Sequence, residues 1–395
     1  MFSRVASLTA GTAGAQLMQL FLFVMLAREL GPSNLGKILL SILVANLITV
    51  IVDFGASTFF TRELAFQRLS ASQFLGICAV RFRALSALVL FSVLIWWATG
   101  LTFIPLVVLL ASTQHMFNIL QSLPKSGTNV RTLALATLVD RALCLILVFL
   151  MMLTDQLSVE GALLSWALSQ IAGGTVIYFS YLRQDSAERN RSITEAFPLR
   201  KLVNLGIFSL SNVISTSDQL LLGFFGGSYQ VGIYGAVSKW FSPIAIISGS
   251  ITTVASSHAA RMSTRPLDLI RANKKGVRLI IVFSLVVIVA GLSAPALVPL
   301  ILGDEFLTSA GLMPFLAITA SIAFLNTPLA SLLQYFNAER KVARITSAGG
   351  IVYLIGIFIL MQLFPENAVL VLAQAQIVFQ LATFFLLLFS LAKLR

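Results

Sequence analysis

The chain has 395 residues, of which 58% are apolar and 11% charged, and its net charge is +12. A soluble globular protein carries about a quarter charged residues, so the composition excludes a water-facing fold and implies a membrane solvent. The basic excess does not point to nucleic acid, because the cations sit at the edges of apolar stretches and not along one continuous face.

A helix needs about 20 consecutive apolar residues to cross the hydrocarbon core. Twelve such stretches are predicted, at 5–26, 38–60, 75–98, 102–122, 132–153, 160–182, 202–225, 231–256, 277–299, 307–336, 342–364 and 367–392. The first is followed by many more of its kind and has no convincing A-x-A cleavage signal, so it reads as a span and not a signal peptide. With an even number of spans the termini share a side. Placing them inside puts 21 of the 27 Lys and Arg residues in cytoplasmic segments, against two, Arg28 and Lys37, outside. The positive-inside rule therefore predicts cytoplasmic termini. The fold class is an all-α polytopic membrane protein with about twelve transmembrane helices in two six-helix bundles. The N-terminal bundle is 1–182, a charged linker (RQDSAERNRS) occupies 183–201, and the C-terminal bundle is 202–395.

An internal repeat supports that division. A shift of 196 lays LGPSNLG (30–36) on GGSYQVG (226–232), so that Gly31 meets Gly227 and Gly36 meets Gly232. A shift of 213 brings Gln114, Asn118 and Gln121 onto Thr327, Ser331 and Gln334. Two halves of six helices would be parallel repeats about an axis along the membrane normal.

Gly31 to Lys37 also spells GxxxxGK, the start of a P-loop. Ile38 follows where Ser or Thr is needed for Mg²⁺, and the segment succeeds a helix and faces outward, so it reads as a tight turn between spans. Cys78 and Cys144 lie inside apolar segments, and His115 and His258 are isolated. Neither a disulfide framework nor a metal or haem site is expected, and no cofactor is implied.

Ionisable groups at bilayer depth are costly, about 2.5–3.5 kcal/mol each on insertion scales, and usually face a cavity or a partner. Seven occur: Asp53, Arg81, Arg83, Asp140, Arg141, Asp218 and Lys239. Their depths along the helices allow Asp53 to pair with Arg141 or Arg81, and Asp218 with Lys239. The functional reading is a charged cavity; the alternative is structural ion pairs, or snorkelling for Arg81 and Arg83. Gln114, Asn118 and Gln121 are spaced i, i+4, i+7 and form one polar stripe, as do Thr327, Ser331 and Gln334. Such stripes either bond neighbouring helices or line water. Paired catalytic carboxylates, an activated nucleophile and a sizeable soluble domain are all missing, so an enzyme is not expected.

LARELGPSNLGKI (26–38), DFGASTFFTREL (53–64), STSDQLLLGFFGGSYQVGIYGAVSKW (215–240), ILGDEF (301–306) and NAERKVARI (337–345) resemble the polysaccharide flippases of the multidrug/oligosaccharidyl-lipid/polysaccharide superfamily, which include O-antigen and exopolysaccharide translocases. The resemblance implies alternating access by two six-helix bundles in a bacterial cytoplasmic membrane. Its substrate would be an oligosaccharide on undecaprenyl diphosphate, an anionic lipid, moved from the inner to the outer leaflet. Arg28, Arg62, Arg81, Arg83, Arg141 and Lys239 are the candidate cations for it, with Asp53, Asp140 and Asp218 as charge partners. Membrane lipids, a polysaccharide polymerase and glycosyltransferases are the implied partners. A drug/cation antiporter of the same superfamily would want acidic cavity residues, and a membrane-embedded polymerase or glycosyltransferase would want a large external loop or an acidic catalytic site. At 395 residues the chain is short for the family.

Overall fold

The structure, a computed structural model, describes residues 2–126, 129–182, 217–244, 274–335 and 338–393, together with 202–203, 205–206 and 209. The linker proposed at 183–201 and most of the 257–276 loop lie outside the described residues. Every regular element among those described is helical: α1 Phe2–Asp53, α2 Ala56–Ala65, α3 Ala71–Thr99, α4 Phe103–Leu120, α5 Ser122–Ser126, α6 Val130–Leu153, α7 Val159–Leu182, α8 Asp218–Ser238, α9 Lys274–Ser293, α10 Met313–Tyr335, α11 Glu339–Leu363 and α12 Ala368–Ala392. Short helical turns lie between α9 and α10.

Ten stretches among the described residues are long and apolar enough to cross a membrane. One, Ala13–Asp53, has 41 residues, roughly 60 Å of helix against a hydrocarbon core of about 30 Å. It therefore holds two spans, and the divider is Gly31, at φ 70° and ψ 174° inside α1. Another, Asp218–Ile244, contains the end of the seventh predicted span and the described part of the eighth, divided at Gly227 with φ 70° and ψ −177°. Counted this way, the ten stretches hold parts of all twelve predicted spans.

The chain is a multi-pass membrane protein, and its surface agrees. Leu94, Trp97, Phe224, Leu300, Val352, Val378 and Phe385 are all exposed, which in water would be an aggregating surface and in lipid is an ordinary one. Helix ends are capped where the chain turns. Ser70 and Gln73 form a reciprocal capping box before α3, and Gly100, at φ 72°, closes it with its N–H on the Trp96 carbonyl.

Two compact units emerge: Met1–Leu22 with Ile38–Val213, and Phe23–Lys37 with Ile214–Arg395. These differ from the sequence boundaries at two segments, 23–37 and 202–213. In the first unit α7 packs on α6 and α4, α4 on α3, and α2 on α5. Its core includes Phe60, Phe74, Ile77, Phe117, Leu123, Ile177 and Leu202. Glycine permits a close approach of α7 to α6: a Cβ on Gly173 would lie 2.8 Å from the Ala136 carbonyl.

In the second unit α10 packs on α12 and α9, while α12 also meets α8 and α11. The segment 23–37 joins this unit through specific contacts. Arg28 donates to the Leu300 carbonyl at 3.3 Å. A Cβ on Gly36 would collide with the Ser228 carbonyl, and one on Gly232 with the Pro32 carbonyl. The GxxxxGK segment is thus helical on both sides of Gly31, with Lys37 donating to Asn34 Oδ1 at 3.2 Å.

Candidate functional site

Two charged clusters occupy the first unit. In one, Asp53 ends α1 and its carboxylate accepts both the N–H and the hydroxyl of Ser57, the latter at 2.6 Å, so it caps the start of α2. The chain turns between them through Phe54 at φ 44° and Gly55 at φ 80°, two successive left-handed residues. His115 Nδ1 lies 3.8 Å from Asp53 Oδ1, and Arg81 Nη1 lies 3.1 Å from His115 Nε2. A guanidinium can only donate, so Nε2 accepts and the imidazole proton sits on Nδ1, facing the carboxylate. Arg81 and His115 are each 1% exposed. The Phe60 ring lies 5.6 Å from the Arg81 guanidinium carbon.

The second cluster lies between α6 and α7. Ser169 Oγ donates to Asp140 Oδ1 at 2.8 Å, and Arg141 Nε stands 3.5 Å from Asp140 Oδ2. The Arg141 guanidinium lies over the Trp166 ring, 5.3 Å from its centroid, a cation–π contact that gains weight away from water. Arg141 Nη1 and Asp140 Oδ2 are buried with no hydrogen-bond partner. Beside this cluster Thr113 of α4 donates to Gln170 Oε1 of α7 at 2.8 Å.

The second unit holds one buried polar network. Gln376 donates to Asp218 Oδ2 at 2.5 Å and Tyr353 to the same oxygen at 3.0 Å. The Gln219 N–H donates to Asp218 Oδ1 at 2.8 Å. Tyr234 donates to Gln376 Oε1 at 2.7 Å, which fixes the amide with its Nε2 toward the carboxylate. Helices α8, α11 and α12 are therefore tied together by neutral donors around one acid.

The remaining sequence candidates fall in several settings. Arg62 and Arg83 are exposed, as is Arg28. Lys239 is half-buried, its Nζ 5.3 Å above the Phe23 ring. Depth alone had allowed Lys239 as the partner of Asp218; the contacts that hold this carboxylate come from Tyr353 and Gln376. Of the first polar stripe, Gln114 donates to Asn46 Oδ1 and so bridges α4 to α1, while Asn118 and Gln121 are half-buried. Of the second, Thr327 is exposed and bonds back to the Ala323 carbonyl at 3.1 Å, Ser331 is half-buried, and the side chain of Gln334 lies outside the described residues.

Sequence reasoning missed His115, Trp166, Tyr353 and Gln376. His115 did carry a signal, since it adjoins Gln114 on the polar stripe and an imidazole inside a span needs partners. Among the described residues no group of His, Cys, Asp and Glu is arranged to hold a metal ion.

A protein-family model described as a polysaccharide biosynthesis protein matches residues 2–257. The chain belongs to that family. A comparison with curated proteins finds no match. Among solved structures, this polysaccharide biosynthesis family member is similar to the lipid II flippase MurJ in an inward closed conformation, at 12% identity and TM-score 0.75, over 98% of this chain and 87% of that one. It is similar also to an inward-facing multidrug-resistance MATE transporter of the MOP superfamily, at 15% identity and TM-score 0.66, over 96% and 95%. A MOP-superfamily transporter from Pyrococcus furiosus, whose binding pocket is described as having reverse polarity, matches at 15% identity and TM-score 0.60, over 99% and 96%. The family member thus has the all-helical fold of MOP-superfamily transporters.

Proposed function

We propose that the chain is a flippase that moves an undecaprenyl-diphosphate-linked oligosaccharide from the inner to the outer leaflet of a bacterial cytoplasmic membrane. The observation that carries this reading is Arg141. Its guanidinium is held at bilayer depth between α6 and α7, and Nη1 is buried without an acceptor. A buried donor on a permanent cation is costly to leave unmatched, and a diphosphate is the kind of group that matches it, since phosphate oxygens accept the parallel N–H bonds of guanidinium. Family membership and the fold shared with a lipid II flippase support the same substrate class. Lys239, half-buried over Phe23, is a second candidate cation, and Arg28, Arg62, Arg81 and Arg83 remain candidates of the first reading. The polymerase and glycosyltransferases that build and consume such a lipid would be its working partners.

Deleting the gene in its native host tests the reading. The expected result is loss of surface polysaccharide with the lipid-linked repeat unit trapped on the cytoplasmic leaflet, rescued by wild type and not by Arg141→Ala at equal abundance. Normal surface polysaccharide with no trapped intermediate, in a host without a redundant flippase, sinks it.

One observation favours a second reading, a cation antiporter: Asp218 is a buried carboxylate held by neutral donors on three helices. Under that reading Asp218→Asn abolishes ion-dependent drug efflux from everted vesicles. Under the flippase reading, drug efflux is absent from the wild type as well.

A further inference from the structure

The Arg141 cluster contains a second charge whose placement bears on release, and the inference rests on the flippase reading above. We propose that Asp140 is a built-in competitor for the substrate's anion, set beside Arg141 so that a captured diphosphate can leave again, with Ser169 and Trp166 as the positioning residues that maintain this balance.

Asp140 and Arg141 are consecutive on α6, so their side chains leave the helix about 100° apart. They cannot form the parallel two-bond fork that makes Arg–carboxylate pairs strong. The contact observed is a glancing one, Nε to Oδ2 at 3.5 Å. Ser169, across on α7, pins the other carboxylate oxygen at 2.8 Å, which keeps Asp140 from turning fully onto the guanidinium. Trp166, also on α7, lies against the guanidinium face and keeps Arg141 from swinging away. Each charge is left with an unsatisfied hydrogen-bonding atom, Nη1 on one and Oδ2 on the other.

A pair built this way is neutral but incompletely bonded. An arriving phosphate oxygen supplies the acceptor that Nη1 lacks, so binding gains. The carboxylate stays in place and repels the same phosphate, so binding is limited. A lone guanidinium in a low-dielectric interior would hold a diphosphate strongly, whereas a translocation site must bind well enough to capture and weakly enough to release. Asp140 meets the second requirement.

The test uses the full chain in phosphatidylcholine nanodiscs with farnesyl diphosphate as the binding probe, and proteoliposomes with a fluorescent polyprenyl diphosphate for transport. Asp140→Asn is expected to bind the probe about tenfold more tightly, a size usual for coupled sites, and to flip more slowly. Trp166→Leu is expected to weaken binding, with Trp166→Phe restoring it because the ring face is kept. Unchanged or weaker binding by Asp140→Asn at wild-type melting temperature overturns the competitor role. Should that variant fail to fold, Ser169→Ala carries the test. It frees the carboxylate to close on Arg141, so binding falls several-fold, and unchanged binding overturns the proposal. Arg141→Ala separates the two levels: if it binds as wild type does, the flippase reading of Arg141 fails, whereas loss of binding there with wild-type behaviour in Asp140→Asn fails the competitor alone.

Discussion

Gly36 and Gly232 meet backbone to backbone, and the contact is reciprocal. Gly36 faces the Ser228 carbonyl and the Gly232 nitrogen; Gly232 faces the Pro32 carbonyl and the Gly36 nitrogen. Residues 32 and 228, like 36 and 232, are related by the 196-residue shift of the sequence repeat, and five residues before each of the two glycines lies a kink glycine, Gly31 or Gly227, with nearly the same backbone angles. Repeated sequence has here become a symmetric contact.

Substitution at this contact should be costly. A Cβ at either position strikes a carbonyl, and a backbone cannot step aside as a side chain can. Gly36→Ala and Gly232→Ala should each destabilise by about 2–3 kcal/mol, the upper range of overpacking. Thermal melts in nanodiscs would read this as a loss of several degrees, and melts matching wild type would refute the packing argument.

His115 should matter as much as the charges it joins. His115→Ala leaves Arg81 without its Nε2 acceptor and Asp53 without its neighbouring N–H, a loss of about 2–3 kcal/mol for buried groups. His115→Ala and Arg81→Met should be strongly non-additive, with an interaction energy of about 1 kcal/mol or more. A double-mutant cycle on melting stability measures it; simple additivity would mean that the chain of contacts carries no energy.

The Asp218 network makes a different demand. Tyr353→Phe removes one donor and should cost about 1–2 kcal/mol. Tyr234→Phe acts only by releasing the Gln376 amide, so its cost should be smaller and should vanish in a Gln376→Leu background. Persistence of the Tyr234 effect in that background would show that the tyrosine acts elsewhere.

Orientation is open to a labelling experiment. Cys78 and Cys144 are buried and should not react with an impermeant maleimide. In a chain carrying Ala at both, Asp155→Cys and Glu366→Cys should label in intact cells, and Arg68→Cys only after permeabilisation. The reverse pattern would overturn the cytoplasmic placement of the termini.

The spans were legible because lipid demands long apolar runs, and the Gly31 and Gly227 divisions were legible because glycine twice interrupts such runs at the same repeat position. Side-chain partners were less so. Counting residues gives depth along a helix but not which neighbour its face meets. Asp53 had two arginines at suitable depth; the structure sets it beside His115, which reaches Arg81, and leaves Arg141 with its own neighbour Asp140. Asp218 and Lys239 share a depth, yet the contacts that hold the carboxylate come from Tyr353 and Gln376, more than a hundred residues later in the chain. Trp166 resembles any other aromatic of a span until α6 and α7 are packed together.

The outward-facing Leu94, Trp97, Val352, Val378 and Phe385 have an evolutionary consequence. Hydrocarbon chains barely distinguish leucine from valine or phenylalanine, so selection at such sites asks only for apolarity and lets their identities drift. The inward contacts, glycine on carbonyl and donor on acid, keep the helices where they are. In such a protein the path of the backbone can be kept while the letters of the sequence change, and a fold shared at a TM-score of 0.75 comes with 12% identity.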